Sequence, residues 1–423
     1  MAAALLGLFV AACGNQDFKT VEVAQFKEVV KNPSIILVDV RTPEEFAQGH
    51  IENALNIDFK NEQFVENFKN AVPAGSEVAV YCRSGKRSAG AAEKLQAEGY
   101  DVINLDGGII AWNEYKHKRD YVIVIHGGAG NIASVEKDSV KAATYYAALD
   151  SALMIGSQAL ENGSKGPQAV MAVINYLENN PLFNAGKGAT ITDEGTFELD
   201  ACIMEGKDLS AGAVAGVKTI KNPINAAYAV KTNSEHVLLA GEGADAFAKA
   251  QGLEIVDNSY FVSPKTMKWV AELSKKSKKN GTVGCVILDT DGNLTAGTST
   301  GGRFRKQWGR IGDAPIVGAG TYADNNSCAV SCTGHGEYYI RHAVAFNMTA
   351  RYKYLGESLE EAAKYIIHTE LNSEAGNGGL ISVDKDGNIA MEFNSTGMYR
   401  GFLYKNEGTT GVVSKVGIGK TLK

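Results

Sequence analysis

Short runs of β-branched residues, each ending at a polar loop or a glycine turn, constrain this chain more than any other feature. Ile35-Ile36-Leu37-Val38-Asp39-Val40 is apolar along nearly its whole length, which predicts a strand buried on both faces. Glu77 to Tyr81 and Val102 to Leu105 repeat the pattern, and Ala89 to Glu98 between them reads as a helix stopped by Gly99. Strands alternating with helices specify an α/β layered fold. The charged stretch Lys116-His117-Lys118-Arg119-Asp120 then leads into Tyr121-Val122-Ile123-Val124-Ile125, a new strand, and the glycine-rich turn His126-Gly127-Gly128-Ala129-Gly130. A boundary near residue 119 separates a unit over 17–119 from a larger one over 120–423. In the second, Lys141 to Glu161 and Gln168 to Glu178 read as amphipathic helices.

The 423 residues suffice for two or three hydrophobic cores. Gly at 47 against Pro at 8 points to tight turns and backbone-lined sites. Lys plus Arg is 42 and Asp plus Glu is 48; the net charge of −6 excludes a generally basic nucleic-acid binder. Nothing approaches the roughly 18 consecutive apolar residues of a membrane span. Ala2 to Ala12 is instead a short run of small and apolar residues ending in Val10-Ala11-Ala12-Cys13, the pattern of an export signal within 1–16. It resembles a bacterial lipobox, which implies a lipidated Cys13, a cell-envelope location and membrane contact only through the lipid. The six cysteines are sparse and include no CxxC pair, so neither a disulfide framework nor a zinc site is expected.

The strand Glu77 to Tyr81 runs straight into Cys82-Arg83-Ser84-Gly85-Lys86-Arg87-Ser88. A loop between a strand and a helix gathers backbone amides and the positive helix end around an anion. Arg83, Lys86 and Arg87 add charge, and Gly85 lets the backbone turn tightly. That setting favours a nucleophilic thiolate at Cys82. Together with Asp39-Val40-Arg41-Thr42-Pro43-Glu44-Glu45-Phe46, Gly49-His50-Ile51-Glu52-Asn53-Ala54 and Leu105-Asp106-Gly107-Gly108, the segment resembles a single-domain rhodanese. The resemblance implies a persulfide on Cys82, passed from a sulfur donor to an acceptor thiol, with Asp39 and Arg41 as a fold-organising pair.

Asn280-Gly281-Thr282-Val283-Gly284-Cys285-Val286-Ile287-Leu288 predicts a strand opened by a threonine, with a hairpin turn at Asp291-Gly292-Asn293. Thr298-Ser299-Thr300-Gly301-Gly302 follows a second strand. Then come Gly309-Arg310-Ile311-Gly312-Asp313, Gly318-Ala319-Gly320-Thr321 and Ser331-Cys332-Thr333-Gly334-His335-Gly336. With His126 to Gly130 and Pro181-Leu182-Phe183-Asn184-Ala185-Gly186, the series resembles the plant-type L-asparaginase/isoaspartyl peptidase family of N-terminal-nucleophile hydrolases. An αββα sandwich is implied.

The resemblance also implies roles. Self-cleavage between Gly281 and Thr282 would leave Thr282 with a free amine beside its hydroxyl, base and nucleophile on one residue. Thr300 would orient that hydroxyl, and Asn184 would support the bond that breaks. Arg310 would hold the substrate α-carboxylate and Asp313 its α-ammonium. Thr333 and Gly334 would form the oxyanion hole, and Gly336 would allow close approach of the substrate. Leu177, Glu178, Phe183, Ala185 and Lys187 would wrap a structural sodium ion with main-chain oxygens; no organic cofactor is implied. The substrates would be β-aspartyl dipeptides and L-asparagine, and the assembly a dimer of αβ heterodimers. Gly301-Gly302-Arg303-Phe304-Arg305-Lys306-Gln307-Trp308 is more basic and aromatic than the family pattern, and His335 and Lys187 also depart from it. Alternative readings are a glycosylasparaginase, or mainly a sulfur carrier or interaction protein with an inactive hydrolase scaffold. The Gly281 to Gly284 and Thr298 to Gly302 stretches favour the plant type.

Overall fold

The computed structural model describes residues 18–114, 119–264, 266–267, 281–374 and 376–423. Cys13 and the apolar run before it lie outside the described residues. The chain divides into two compact units, Met1–His117 and Lys118–Lys423.

The first unit holds a five-stranded parallel sheet of β1 (Lys19–Val21), β2 (Ile36–Asp39), β3 (Leu55–Asn56), β4 (Glu77–Tyr81) and β5 (Asp101–Leu105), in the order β1-β5-β4-β2-β3. The central strands are buried on both faces, as their unbroken apolar runs require. Val38, Val78 and Val80 point to one core with Phe64 and Phe68, and Leu37, Ala79 and Tyr81 to another with Phe26. The helix after β4 spans Lys86–Ala97, beginning three residues before the Ala89 expected from composition. Its N-cap is Gly85 at φ 85°, so Lys86 and Arg87 sit in the first helical turn rather than in the loop. Lys, Arg and Ser carry no helix-breaking property, and the left-handed glycine is what marks the start.

The second unit contains β6 (Arg119–Gly130), β7 (Leu199–Glu205), β8 (Ala211–Val217), β9 (Leu238–Ala240), β10 (Val283–Leu288), β11 (Leu294–Thr300), β12 (Thr321–Ala323), β13 (Cys328–Gly334), β14 (Gly378–Asp384), β15 (Ile389–Phe393), β16 (Gly397–Asn406) and β17 (Val412–Gly417). Eight form a mixed sheet, β17-β16-β6-β10-β11-β7-β8-β9, and four a second sheet, β12-β13-β14-β15. Alternation along β6 explains the layering. Ile123 and Ile125 face the helices Ser139–Glu161 and Gly166–Asn179, where Leu149, Leu153, Val173 and Ile174 close the core. Val122 and Val124 face the other way, onto Ala329, Ile381 and Val383 of the second sheet. That sheet packs its outer face, through Val330 and Leu380, on the helices Val344–Ala350 and Leu359–Lys364. The result is four layers, αββα.

Two local expectations fail for the same reason. His126 to Gly130 is the end of strand β6 rather than a turn, because β16 pairs with it from Gly130↔Gly397 onward and β10 pairs Gly284 with His126. Thr298 to Thr300 likewise belongs to β11, paired with β7 up to Thr300↔Asp200. Neighbouring ladders supply hydrogen bonds that override local turn propensity.

Candidate active site

The β10–β11 hairpin sets the geometry. Its register places Val283 opposite Ser299, so Thr282 and Thr300 extend the ladder one step further, and their hydroxyls meet. Thr282 Oγ1 donates to Thr300 Oγ1 at 3.3 Å. Thr300 Oγ1 donates in turn to the Gly281 carbonyl at 3.0 Å and accepts from Gly302 N–H at 3.0 Å. With one proton and two lone pairs, that hydroxyl is fully used. The Gly281 carbonyl takes a second donor, Asn184 Nδ2, at 2.7 Å. Asn184 is itself fixed, donating to the Gly302 carbonyl at 2.8 Å and accepting from Thr190 N–H at 2.8 Å. Thr282 and Thr300 are both buried.

A second chain of hydrogen bonds, not anticipated from the sequence, holds Thr282 from the other side. His126 Nδ1 lies 3.1 Å from the Thr282 carbonyl, which only accepts, so Nδ1 carries the proton. Its Nε2 therefore accepts from Ser331 Oγ at 3.0 Å, and Ser331 accepts from Thr298 at 2.7 Å. Full burial pushes the His126 pKa down to about 3, so the ring is neutral. The alternation of hydroxyls in Thr298-Ser299-Thr300 was the available signal: positions 298 and 300 share one face of the strand.

Arg310, Asp313, Gly334 and His335 line the same cavity as Thr282, Thr300 and Arg303. Read along the chain, Arg310 and Asp313 look like a local ion pair. The structure pairs Arg310 with Glu337 instead, Nε to Oε1 at 3.0 Å and Nη2 to Oε2 at 3.1 Å. Asp313 is buried, and its Oδ2 has no hydrogen-bond partner among the described residues. Desolvation pushes its carboxyl up to about 7, against the pull of the Arg310 charge. A Cβ at Gly336 would stand 2.7 Å from Arg310 Nη2 and 2.9 Å from Asp313 Oδ1, so only glycine leaves that corner open. Thr333 Oγ1 accepts from Ala129 N–H at 3.2 Å, at the end of β13.

The candidate cation loop is backbone-rich. Gly186 and Gly188 sit against the carbonyl oxygens of Glu178, Pro181 and Phe183, with no room for a Cβ. The Leu177 and Ala185 carbonyls accept from Asn180 and Gly188 N–H. Lys187 turns its ammonium to the Tyr260 carbonyl and ring. The Glu178 side chain was missed at the sequence level. Burial raises it to about 7, and it accepts from Ser299 Oγ at 2.7 Å, Asn222 Nδ2 at 2.9 Å and Ile224 N–H at 3.1 Å.

In the first unit, Cys82 follows β4 directly and is buried. Its carbonyl accepts from Ile109 N–H at 2.8 Å. Arg87, in the first turn of the helix that follows, is held by Glu45 in a two-point pair, both contacts at 2.7 Å. That bond is the main cause of Glu45 falling to about 2. Arg41 grips the buried Asp39 carboxylate and donates to the Gly49 carbonyl at 2.6 Å. Among the described residues, no group of three or more His, Cys, Asp or Glu could hold a metal ion.

Comparison with known proteins agrees with this division. Residues 22–115 match the rhodanese-like domain. An isoaspartyl peptidase of Escherichia coli (strain K12) is 43% identical over 70% of this chain and 97% of its own length. An isoaspartyl peptidase/L-asparaginase of Xenopus laevis is 40% identical, over 66% of this chain and 90% of its own length. A probable isoaspartyl peptidase/L-asparaginase 2 of Arabidopsis thaliana is also 40% identical, over 66% of this chain and 95% of its own length. Residues 119–413 match the asparaginase family, and the chain belongs to that family, with a rhodanese-like domain ahead of it.

Proposed function

We propose that the chain is a self-processing threonine amidohydrolase that hydrolyses β-aspartyl dipeptides and L-asparagine, joined to a sulfurtransferase. The observation that carries the first part is the double donation to the Gly281 carbonyl beside the Thr282 hydroxyl. Thr282 Oγ1 adds to the Gly281 carbonyl carbon, and the oxyanion that forms is held by Asn184 Nδ2 and the Thr300 hydroxyl. The hydroxyl proton passes to the Thr282 nitrogen, the C–N bond breaks, and water hydrolyses the resulting ester. The freed amine, with a reference pKa of about 7.7–8.0, then serves as general base for the same hydroxyl.

In the substrate cycle, Arg310 takes the α-carboxylate and Asp313 the α-ammonium. The Asp313 oxygen that has no partner among the described residues supports this, since an ammonium supplies a donor there. Thr333 and Gly334 receive the charge developing on the substrate amide oxygen. The main-chain carbonyls of Leu177, Glu178, Phe183, Ala185 and Lys187 would supply neutral, hard donors to a sodium ion, which would stiffen the turn beside Asn184. For the first unit, the Cys82 thiolate attacks the sulfane sulfur of a donor, expels the donor's remainder, and yields the persulfide sulfur to an acceptor thiol. The strand-to-helix placement of Cys82 beside Arg83 and Lys86 supports that reading. The run ending at Cys13 supports lipid anchoring, which Cys13→Ala would abolish in a membrane-partition assay.

Intact mass and N-terminal sequencing test the mechanism. Wild type should give two fragments, the second starting at Thr282. Thr282→Ala should stay whole and inactive, while Thr282→Ser should still cleave. A fragment starting elsewhere, or amidase activity from an uncleaved chain, overturns it. Hydrolysis of GlcNAc-asparagine in preference to a β-aspartyl dipeptide would select the glycosylasparaginase reading. Thiosulfate-to-cyanide transfer by wild type and its loss in Cys82→Ser test the sulfur chemistry.

A further inference from the structure

We infer that Arg303 is a specificity residue that receives the carboxylate of the leaving amino acid, and so favours β-aspartyl peptides over free asparagine. The inference rests on the amidohydrolase reading above. Both substrates share an aspartyl end, with one α-carboxylate and one α-ammonium, and Arg310 and Asp313 account for those. A β-aspartyl peptide differs in its leaving group, which ends in a second carboxylate, whereas asparagine releases ammonia. The site needs one more cation to tell them apart.

Arg303 lines the cavity with Thr282 and Arg310. Unlike Arg310, which Glu337 already grips, its guanidinium makes no hydrogen bond or ion pair among the described residues. It is exposed. Its backbone is anchored to the reacting groups: Gly302 N–H donates to Thr300 Oγ1 at 3.0 Å, and the Gly302 carbonyl accepts from Asn184 Nδ2 at 2.8 Å. Arg303 adds a positive charge to the cavity, suited to a substrate of net charge −1. Arg303 also stands close enough to Glu337 for their charges to act on each other, so the rival role is a second anchor for the aspartyl α-carboxylate.

Three substrates separate these roles: β-aspartyl-alanine, β-aspartyl-alaninamide, which lacks the terminal carboxylate, and L-asparagine. Full-length wild type, Arg303→Gln and Arg303→Lys would be compared, with fragment formation confirming the fold. An exposed charged contact between protein and ligand predicts a fall in kcat/KM of about 5- to 20-fold for Arg303→Gln on β-aspartyl-alanine, mostly in KM. The amide and asparagine should change by less than about twofold, and Arg303→Lys should recover part of the loss. The wild-type preference for the free acid over the amide should weaken with added salt. An equal fall on all three substrates would assign Arg303 to the aspartyl end; no fall on β-aspartyl-alanine would remove it from recognition. A processed wild type that cleaves none of the three overturns the amidohydrolase reading itself.

Discussion

At the scale of single residues, the site is built from groups whose cost is visible. Asp313 is held up to about 7 by burial, where an unfolded aspartate titrates near 3.8. Between those values the folded chain keeps a proton that the unfolded chain releases, so this residue costs stability as pH rises from about 4 to about 7. Asp313→Asn should therefore raise the Tm of the second unit, by an amount that grows over that pH range and levels off above it. The same change should raise KM for asparagine, because the neutral amide cannot pair an ammonium. A Tm unchanged at pH 7.5 would show that Asp313 is stabilised by something else. Lys306 shows the opposite balance. It stands in a basic, aromatic loop, yet it is buried, donating to the Glu198 carbonyl at 3.0 Å with Asp200 Oδ2 at 3.8 Å, while Trp308 nearby is 96% exposed. Lys306→Met should leave Asp200 an uncompensated buried charge and destabilise the second unit by about 3–5 kcal/mol, readable by urea denaturation. Chain composition could not separate Lys306 from Arg305; only the carboxylates of β7 and its approach do.

At the scale of elements, hairpin register does most of the chemical work. Thr282 and Thr300 were legible because an opening threonine, a six-residue strand and a turn at Asp291-Gly292-Asn293 imply a return strand ending beside the start. His126 was legible only as part of a glycine-rich stretch, because its function depends on β6 lying between β10 and β16. The Cys82 loop offers the matching test in the first unit. Gly85 adopts φ 85°, and a Cβ there would lie 3.1 Å from Gly107 N and 3.2 Å from the Leu105 carbonyl oxygen. Gly85→Ala should cost roughly 1–2 kcal/mol from the left-handed backbone alone. It should also reduce sulfur transfer by moving the amides around Cys82; full transfer with an unshifted Tm would mean that the loop tolerates a side chain.

At the scale of the whole molecule, each unit carries its own core. Phe68 is fully buried against Tyr100, ring centroids 5.1 Å apart, within a core made wholly of first-unit residues. Phe68→Ala should destabilise that unit by about 3–5 kcal/mol. Cleavage before Thr282 and amidase activity should stay at wild-type levels, since the sandwich cores draw only on second-unit residues. Loss of processing in that variant would show that the two units fold as one.

The sequence alone determined the α/β layering, the Cys82 loop and the threonine that opens β10, because hydrophobic period, strand length and turn residues act over a few neighbouring positions. Only the tertiary structure decided which partners those groups meet. Arg310 pairs with Glu337, 27 residues away, and His126 reaches Ser331 across 205. Asp313 is raised by burial that no local pattern encodes, and Lys306 is buried while its chain neighbours face water. Desolvation and hydrogen-bond partnership depend on what packs from above and beside, and those surfaces come from strands and helices far apart in the chain.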